Sequence, residues 1–210
     1  MIVSLGYVAQ GGPQPAECLE LVLAARARTV MGNSDAFLLD PAASTEAVTE
    51  RHLVQREWTL SQLTPEHLDS IRSFEPTVAL DLDGLRVLCF HGTPGDHDGV
   101  VLPEDPPDGF AGTDADILAG GHVHVPQLRR VGDALYVNPG SVGLGYDHRQ
   151  PEDDFRFDPW ASYAILEGHS VEFHLVPFDA AEVVAATRSS GLPRAEDGLW
   201  RWQRRHTSSR

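Results

Sequence analysis

Three short glycine-containing motifs, each directly after an apolar strand pattern, are the feature that most constrains how this 210-residue chain folds. They are Gly32-Asn33-Ser34-Asp35, His91-Gly92 and Gly121-His122-Val123-His124. In open α/β sheets, the loops that follow the carboxyl ends of strands converge, and sites gather there. We therefore expect the polar side chains of these motifs to form one site: Asn33, His91, His122 and His124.

These four side chains are suited to binding metal. Neutral imidazole binds Mn, Fe or Zn, and an asparagine oxygen adds a harder ligand. The neighbouring glycines let the backbone approach a metal without a Cβ in the way. Two metals a few ångströms apart can clamp a phosphate and generate a hydroxide at neutral pH. The motifs therefore predict a metal site for cleaving phosphate esters. The remaining histidines are interpreted as core or surface residues: His52, His67, His97, His148, His169, His174 and His206.

The apolar spacing predicts an α/β chain with helices early and hairpins late. Residues 2–5 and 29–31 are predicted as short strands, with a helix beginning at Ala16 between them. Residues 44–63 are predicted to be helical with Ser44 as N-cap, and Thr64-Pro65 to begin another helix. A strand at 117–119 and three hairpins complete a mixed sheet. The hairpins pair 77–82 with 85–90, 128–131 with 134–137, and 163–167 with 171–176.

The net charge of the chain disfavours some classes of binding partner. The formal net charge is −15, and the chain contains no lysine among its 16 basic residues. Such an acidic chain is a poor partner for a nucleic-acid backbone or an anionic membrane. It binds a phosphate only if bound cations reverse the local field, which again favours a metal.

Composition also bears on the compartment. No apolar run is long enough to span a bilayer, and the N-terminus has no signal-peptide pattern. Cys18 and Cys89 are interpreted as reduced core thiols. Both observations favour a cytoplasmic protein.

In their order, the motifs resemble those of the calcineurin-like metallophosphoesterase family, in its small bacterial phosphodiesterase branch. The ordered motifs of that family are Asp-x-His, Gly-Asp, Gly-Asn-His-Asp (often with Cys, Thr or Ser replacing the His), His-Gly and Gly-His-x-His. Residues 32–35, 91–92 and 121–124 match the last three. The resemblance covers residues 2–177. We therefore expect a metallophosphoesterase domain over 1–178, followed by a C-terminal helix and a basic, aromatic tail over 179–210.

The resemblance implies a sandwich of two mixed β-sheets flanked by helices, and a site for divalent metal ions. Mn is the first choice of metal, with Fe, Zn or Ni as alternatives. Asn33, His91 and His122 would hold one metal, and His124 would be a ligand of another. Asn33 would also contact the substrate phosphate, so Asn33 and His91 are the expected catalytic residues. Asp35 would orient the site.

The chain departs from the family pattern in ways that predict impaired activity. The Asp-x-His motif is not found, so we expect a first β-α unit of about 30 residues to be absent. Tyr7 stands where the Gly-Asp motif places an aspartate that bridges two metals, and a neutral phenol does not neutralise two cations. Ser34 stands where many relatives have a histidine that protonates the leaving group. We therefore expect one weak three-ligand site rather than a dinuclear centre.

The expected function is hydrolysis of a phosphodiester or phosphomonoester, in a nucleotide or another small molecule, by metal-activated water. Three explanations for the departures stay open: a start placed too late, a degenerate gene product, and a non-catalytic binding or scaffold member of the same fold. Nucleic-acid binding rests only on the aromatic and basic residues 200–206. A frayed or docked terminus is favoured there instead. The sequence does not indicate an oligomeric state.

Overall fold

The computed structural model describes residues 1–44, 47–110 and 112–202, and only the backbone of residues 107, 108 and 152. The α-helices of this part are α1 (Pro15–Ala24), α2 (Asn33–Leu39), α3 (Glu50–Ser61), α4 (Pro65–Arg72) and α5 (Ala180–Ser189). The strands are β1 (Val3–Ser4), β2 (Arg28–Thr29), β3 (Val78–Leu82), β4 (Leu85–Cys89), β5 (Ile117–Ala119), β6 (Gln127–Val131), β7 (Ala134–Asn138), β8 (Trp160–Glu167) and β9 (Ser170–Pro177). Short 3-10 helices lie at Pro41–Ala43, Pro107–Phe110, Glu152–Asp154 and Ala195–Trp202.

Strands β3 to β7 form one five-stranded sheet in the spatial order β3-β4-β5-β7-β6. The outer pairs are antiparallel, whereas β5 runs parallel to both β4 and β7. Elsewhere β1 and β2 form a parallel pair, and β8 and β9 form an antiparallel hairpin. The predicted mixed α/β class and all three predicted hairpins are confirmed. The second layer differs from the expected mixed sheet, because it consists of two separate two-stranded sheets.

The five-stranded sheet is buried on both faces, because successive side chains of a strand point to opposite sides. In β4, Val87 and Cys89 face one core and Leu88 faces the other. Side chains from β1 and the β8–β9 hairpin pack on the first core, which makes a sandwich: Val3, Leu5, Ala164, Leu166, Val171 and Phe173. The second core is closed by Val101 and Phe110 from the long loop after β4.

A third core joins the helices to the segment after β1. Leu19 of α1, Leu38 of α2 and Ile71 of α4 are fully buried together. Ala9 and Phe74 complete this core. Because Ala9 lies just beyond Tyr7, this core holds in place the loop that carries Tyr7.

Of the two predicted helix N-caps, one is confirmed and one is wrong. Thr64 caps α4 as predicted, with its side-chain oxygen accepting a hydrogen bond from the N–H of His67 at 3.3 Å. Ser44 was predicted to cap the helix that precedes α4 in the chain, and this prediction is wrong. That helix, α3, is capped by Thr49, whose side chain accepts from the N–H of His52 at 3.3 Å. Both threonines satisfy an N–H that has no partner within its own helix.

The sequence patterns did not predict α2, which begins inside the motif at residues 32–35. Asp35 sits in the first turn of α2 and accepts a hydrogen bond from the N–H of Gly32 at 3.2 Å. Phe37 and Leu38 are then buried on the inner face of the helix. A short helix is therefore held by its first turn and its burial rather than by a long periodic pattern.

The two cysteines differ in their exposure to solvent. Cys18 and Cys89 are both unpaired. Cys89 is buried as predicted, but Cys18 is exposed on α1, so its interpretation as a core thiol is wrong. In the described residues, no helix is long and apolar enough to cross a membrane.

The end of the described chain docks on the loop before β8. The N–H of Phe157 donates to the carbonyl of Arg201 at 3.0 Å, and the Trp202 ring lies 5.0 Å from the Phe157 ring. The Arg201 guanidinium lies 3.9 Å over the ring of Phe155. Leu199 is buried beneath this contact. The docked-terminus interpretation therefore holds for residues 200–202, while 203–206 lie outside the described residues.

Replacing Leu199 with alanine tests this docking. Leu199 is only 6% exposed. Leu199→Ala should therefore lower the free energy of unfolding by about 2 kcal/mol, because the substitution leaves a cavity. Leu21 is 71% exposed, so Leu21→Ala should change stability by less than about 0.5 kcal/mol. Urea unfolding of the two variants measures both values. Equal effects would contradict the docked position of residues 199–202.

Candidate metal centre

The four predicted site residues follow the carboxyl ends of three strands, and Tyr7 follows the end of a fourth. Asn33 begins α2 just beyond β2, and His91 follows β4 after a single residue. His122 and His124 follow β5, and Tyr7 follows β1. Because β1 is parallel to β2, and β4 to β5, each pair presents its carboxyl ends at one edge. This is the edge at which α/β sheets form their sites.

The ring of His91 is fixed in one tautomer. Its side chain is buried, and Nδ1 lies 2.5 Å from the backbone carbonyl oxygen of Leu5. A carbonyl oxygen only accepts, so Nδ1 carries the proton and Nε2 keeps its lone pair. Burial lowers the pKa of His91 to about 3, which keeps the ring neutral at pH 7. A neutral imidazole with an oriented lone pair is the form that binds metals.

Two further donor atoms lie near that lone pair, and a third lies next to one of them. His91 Nε2 lies 3.1 Å from Asn33 Oδ1 and 3.3 Å from His122 Nδ1. The hydroxyl of Tyr7 lies 2.8 Å from His122 Nδ1. Ligands about 2.1 Å from one ion are about 3.0 to 3.4 Å apart at right or tetrahedral angles. The separations of Asn33 Oδ1 and of His122 Nδ1 from His91 Nε2 therefore match those of neighbouring ligands of one metal ion.

The Asn33–His91 contact itself supports a cation. With Oδ1 facing Nε2, two hydrogen-bond acceptors stand 3.1 Å apart with no proton between them. A cation bound by both atoms would stabilise this arrangement, whereas the amide turned by about 180° would present an N–H donor to Nε2 instead. The side chains therefore fit a metal by chemistry as well as by spacing.

His124 is placed differently from the other two histidines. Its Nδ1 lies 3.0 Å from the carbonyl oxygen of Leu144, so Nδ1 carries the proton here as well. Burial lowers the pKa of His124. The Tyr7 ring packs edge-on against it with 5.2 Å between centroids. In the chain as described, no group of three or more His, Cys, Asp or Glu side chains is arranged to hold a metal ion. The structure links Asn33, His91 and His122 by direct contacts and places His124 against the Tyr7 ring.

Asp35 is fully buried and accepts hydrogen bonds from four backbone N–H groups. The N–H groups of Tyr7, Val8, Ala9 and Gly32 donate to its two carboxylate oxygens at 2.8 to 3.5 Å. Burial raises the pKa of Asp35 to about 6, and these four donors counteract part of that rise. At pH 7 the carboxylate is therefore mostly ionised. It ties the loop after β1 to the start of α2.

The backbone around the site is strained. Tyr7, His122 and His124 all have positive φ angles, of 61°, 63° and 60°. Left-handed backbone is costly for residues with a Cβ, and outliers of this kind cluster at functional sites. Gly6 has a φ of 98°, and a Cβ there would lie 2.6 Å from His91 Nδ1. The turn after β1 thus requires glycine at this position for conformation and for space.

Comparison with known proteins identifies the family of this fold and site. Residues 2–167 match the calcineurin-like phosphoesterase superfamily domain. The chain belongs to this superfamily. The match covers β1 to β8 and therefore includes every candidate metal ligand.

Solved structures and a sequence relative support the assignment. The metallophosphoesterase from Sphaerobacter thermophilus is 28% identical with a TM-score of 0.71, over 96% of this chain and 86% of that one. The hypothetical protein PH1004 from Pyrococcus horikoshii has a TM-score of 0.74 at 18% identity, over 92% of this chain and 82% of that one. The uncharacterized protein MJ0912 of Methanocaldococcus jannaschii is 24% identical over 83% of this chain and 74% of its own length. The fold of the chain is therefore that of the metallophosphoesterases.

Sequence reasoning missed the contribution of Tyr7. It identified Tyr7 as the residue that replaces the aspartate of the Gly-Asp motif, and did not expect it to act as a ligand. The structure places the Tyr7 hydroxyl against His122 and its ring against His91, with 4.3 Å between centroids. The carbonyls of Leu5 and Leu144 were also missed. Backbone atoms carry no sequence signal, so nothing in the motifs could have indicated them.

The tight packing around Gly6 can be tested by substituting Gly6 and Gly11, two glycines with similar backbone angles. Gly6 and Gly11 have φ angles of 98° and 102°, but a Cβ at Gly11 meets no atom within 4 Å. Gly11→Ala should therefore cost only backbone strain, about 1 kcal/mol. Gly6→Ala should cost about 3 kcal/mol or more, since it also displaces His91 or Gly32. Thermal unfolding of both variants checks the difference. If Gly6→Ala lowers stability no more than Gly11→Ala does, the turn at Gly6 is less tightly packed than the structure indicates.

Asp35 supplies a second test. Asp35→Asn replaces one acceptor oxygen by an NH₂ group that faces backbone N–H donors, and should destabilise the fold by about 2 to 3 kcal/mol. Asp40, at the other end of α2, accepts one exposed hydrogen bond from the N–H of Ala42. Asp40→Asn should cost less than about 1 kcal/mol, because asparagine also caps. Denaturant midpoints and slopes measure both. Similar losses would mean that the four bonds to Asp35 are not needed.

Proposed function

We propose that this chain is a metal-dependent phosphoesterase of reduced activity that works with a single divalent ion. The observation that carries the proposal is the gathering of Asn33 Oδ1, His91 Nε2 and His122 Nδ1 at 3.1 and 3.3 Å. These atoms are all neutral donors, and they would hold the ion. When bound, a metal of this kind polarises a phosphoryl oxygen and lowers the pKa of a coordinated water.

The residues around the ion have separate tasks. His91, locked by Leu5, presents an unprotonated Nε2 without any rearrangement. Asn33, in the first turn of α2, places its oxygen 3.1 Å from His91 Nε2. A phosphate oxygen would be stabilised there by the ion. Asn33 and His91 are therefore the residues proposed to contact the reacting groups or the metal.

Two features support reduced rather than full activity. In the described donor set no carboxylate is present, so a divalent ion is bound less tightly than in a site with aspartate ligands. A single ion also stabilises only one side of a displacement, whereas a two-metal site stabilises the attacking and the leaving oxygens together. Ser34 is a poor general acid, so departure of the leaving group depends on solvent or on an already stable leaving group.

The charge of the chain favours a small substrate. With a formal net charge of −15, the protein repels polyanions, while a small phosphodiester carries a single negative charge. We propose a nucleotide or another low-molecular-weight phosphate ester as substrate, and Mn²⁺ as the first metal to test. A cytoplasmic location is proposed with it, since Cys18 and Cys89 are unpaired.

Metal content and hydrolysis together test the proposal. Protein incubated with Mn²⁺ and desalted should retain one ion per chain by elemental analysis. It should also hydrolyse an activated aryl phosphodiester at a rate well above the buffer blank. His122→Ala should lose the ion and at least about 100-fold in rate, since one of three ligands is removed.

His169→Ala is the matched control, because His169 is exposed in the turn between β8 and β9. It should leave metal content and rate unchanged. Two retained ions per chain would contradict the single-ion site. Retention of no ion together with no hydrolysis would overturn the proposal and favour the alternative, a binding or scaffold protein with the same fold.

A further inference from the structure

Tyr7 is held in place from both of its ends. Its N–H donates to Asp35 Oδ2 at 2.8 Å, and its backbone has a φ of 61°. Its hydroxyl lies 2.8 Å from His122 Nδ1. An aromatic residue in left-handed backbone is a genuine outlier, and it persists only where the surroundings fix it. The position of the Tyr7 oxygen is therefore set by the fold and not by free rotation of an exposed side chain.

The Tyr7 oxygen extends the row of donor atoms already described. The separations along this row are 3.1 Å from Asn33 Oδ1 to His91 Nε2, 3.3 Å to His122 Nδ1 and 2.8 Å to Tyr7 Oη. Ligands about 2.1 Å from one ion are about 3.0 to 3.4 Å apart at right or tetrahedral angles. The last separation is slightly shorter, as expected where a hydrogen bond links two donors that an ion would separate.

A phenolate oxygen also supplies what the other donors lack. Asn33, His91 and His122 are neutral, so they leave the charge of a bound ion fully uncompensated. A tyrosine that ligates an ion releases its proton to solvent and brings one negative charge, as tyrosine ligands of iron do. The proton need not pass to any group in the protein.

We propose that Tyr7 Oη is the fourth ligand of a mononuclear site formed with Asn33, His91 and His122. This inference rests on the single-ion site of the proposed function and assigns the remaining donor. It makes Tyr7 a metal ligand in its own right, where the family motif has a bridging aspartate. The site then has one anionic and three neutral ligands, a set that holds ferric iron as well as divalent ions.

The test uses ferric iron as the probe, since a ferric ion bound by phenolate absorbs visible light by charge transfer from the ring. Metal-free full-length protein is loaded with ferric citrate, desalted, and its iron content measured. The native chain should develop a visible band, with tyrosine ring vibrations enhanced when Raman scattering is excited within it. Tyr7→Phe should lose the band completely. It should also bind Mn²⁺ at least about tenfold more weakly, while circular dichroism stays unchanged.

Two other tyrosines serve as controls. Tyr146 has its ring 6.4 Å from that of His124, and Tyr163 stacks on His174 on the β8–β9 hairpin. Tyr146→Phe and Tyr163→Phe should both keep the band. Survival of the band in Tyr7→Phe would overturn the inference. So would tighter Mn²⁺ binding by Tyr7→Phe, which would show that the phenol blocks a ligand position.

The outcomes also distinguish this inference from the proposed function. If iron and Mn²⁺ are retained and the phosphodiester is hydrolysed, but no band appears, only the ligand role of Tyr7 fails. If neither metal is retained, the metal site fails, and both proposals are overturned together.

Discussion

The carboxylate of Asp35 is the interaction on which the rest of the site depends. One buried, mostly ionised group receives four backbone N–H donors from two separate loops, those after β1 and β2. It therefore fixes the relative position of Tyr7 and Asn33, which are 26 residues apart in the chain. Hydrogen bonds to a buried charge are strong, and the third core below Ala9 keeps water away from them. The site is thus positioned by backbone-to-carboxylate bonds before any metal is considered.

The chemistry of the site follows from this positioning. His91 and His122 arrive from the five-stranded sheet, whereas Asn33 and Tyr7 arrive from the other layer of the sandwich. The donors therefore meet between two layers that share one apolar core. Tyr7 both contributes a polar atom and fills the space between the histidines with its ring. The same ring contacts His91, His122 and His124, and thereby links the three histidines of the site.

Much of this arrangement could be predicted from the sequence because its signals are local. Short glycine-containing turns predicted the hairpins, and Thr64 predicted the start of α4. The motifs at strand ends predicted that Asn33, His91, His122 and His124 would form one site. The errors have physical causes. α2 is only seven residues long and is held by Asp35 rather than by periodicity, and Thr49 rather than Ser44 caps α3. The role of Tyr7 depends on a strained turn that no spacing rule encodes.

The bonds from His91 and His124 to the carbonyls of Leu5 and Leu144 have a consequence for how this protein tolerates mutation. A carbonyl oxygen is the same in every residue type, so the proton positions of both rings survive almost any substitution at either leucine. Drift in these strands and loops can change packing without disturbing ring chemistry. In a site built in this way, substitutions of the few donor side chains or of Gly6 disturb the geometry most. The residues around them can change with less effect. Residue-by-residue comparison of relatives would then undervalue how much of the histidine geometry is retained.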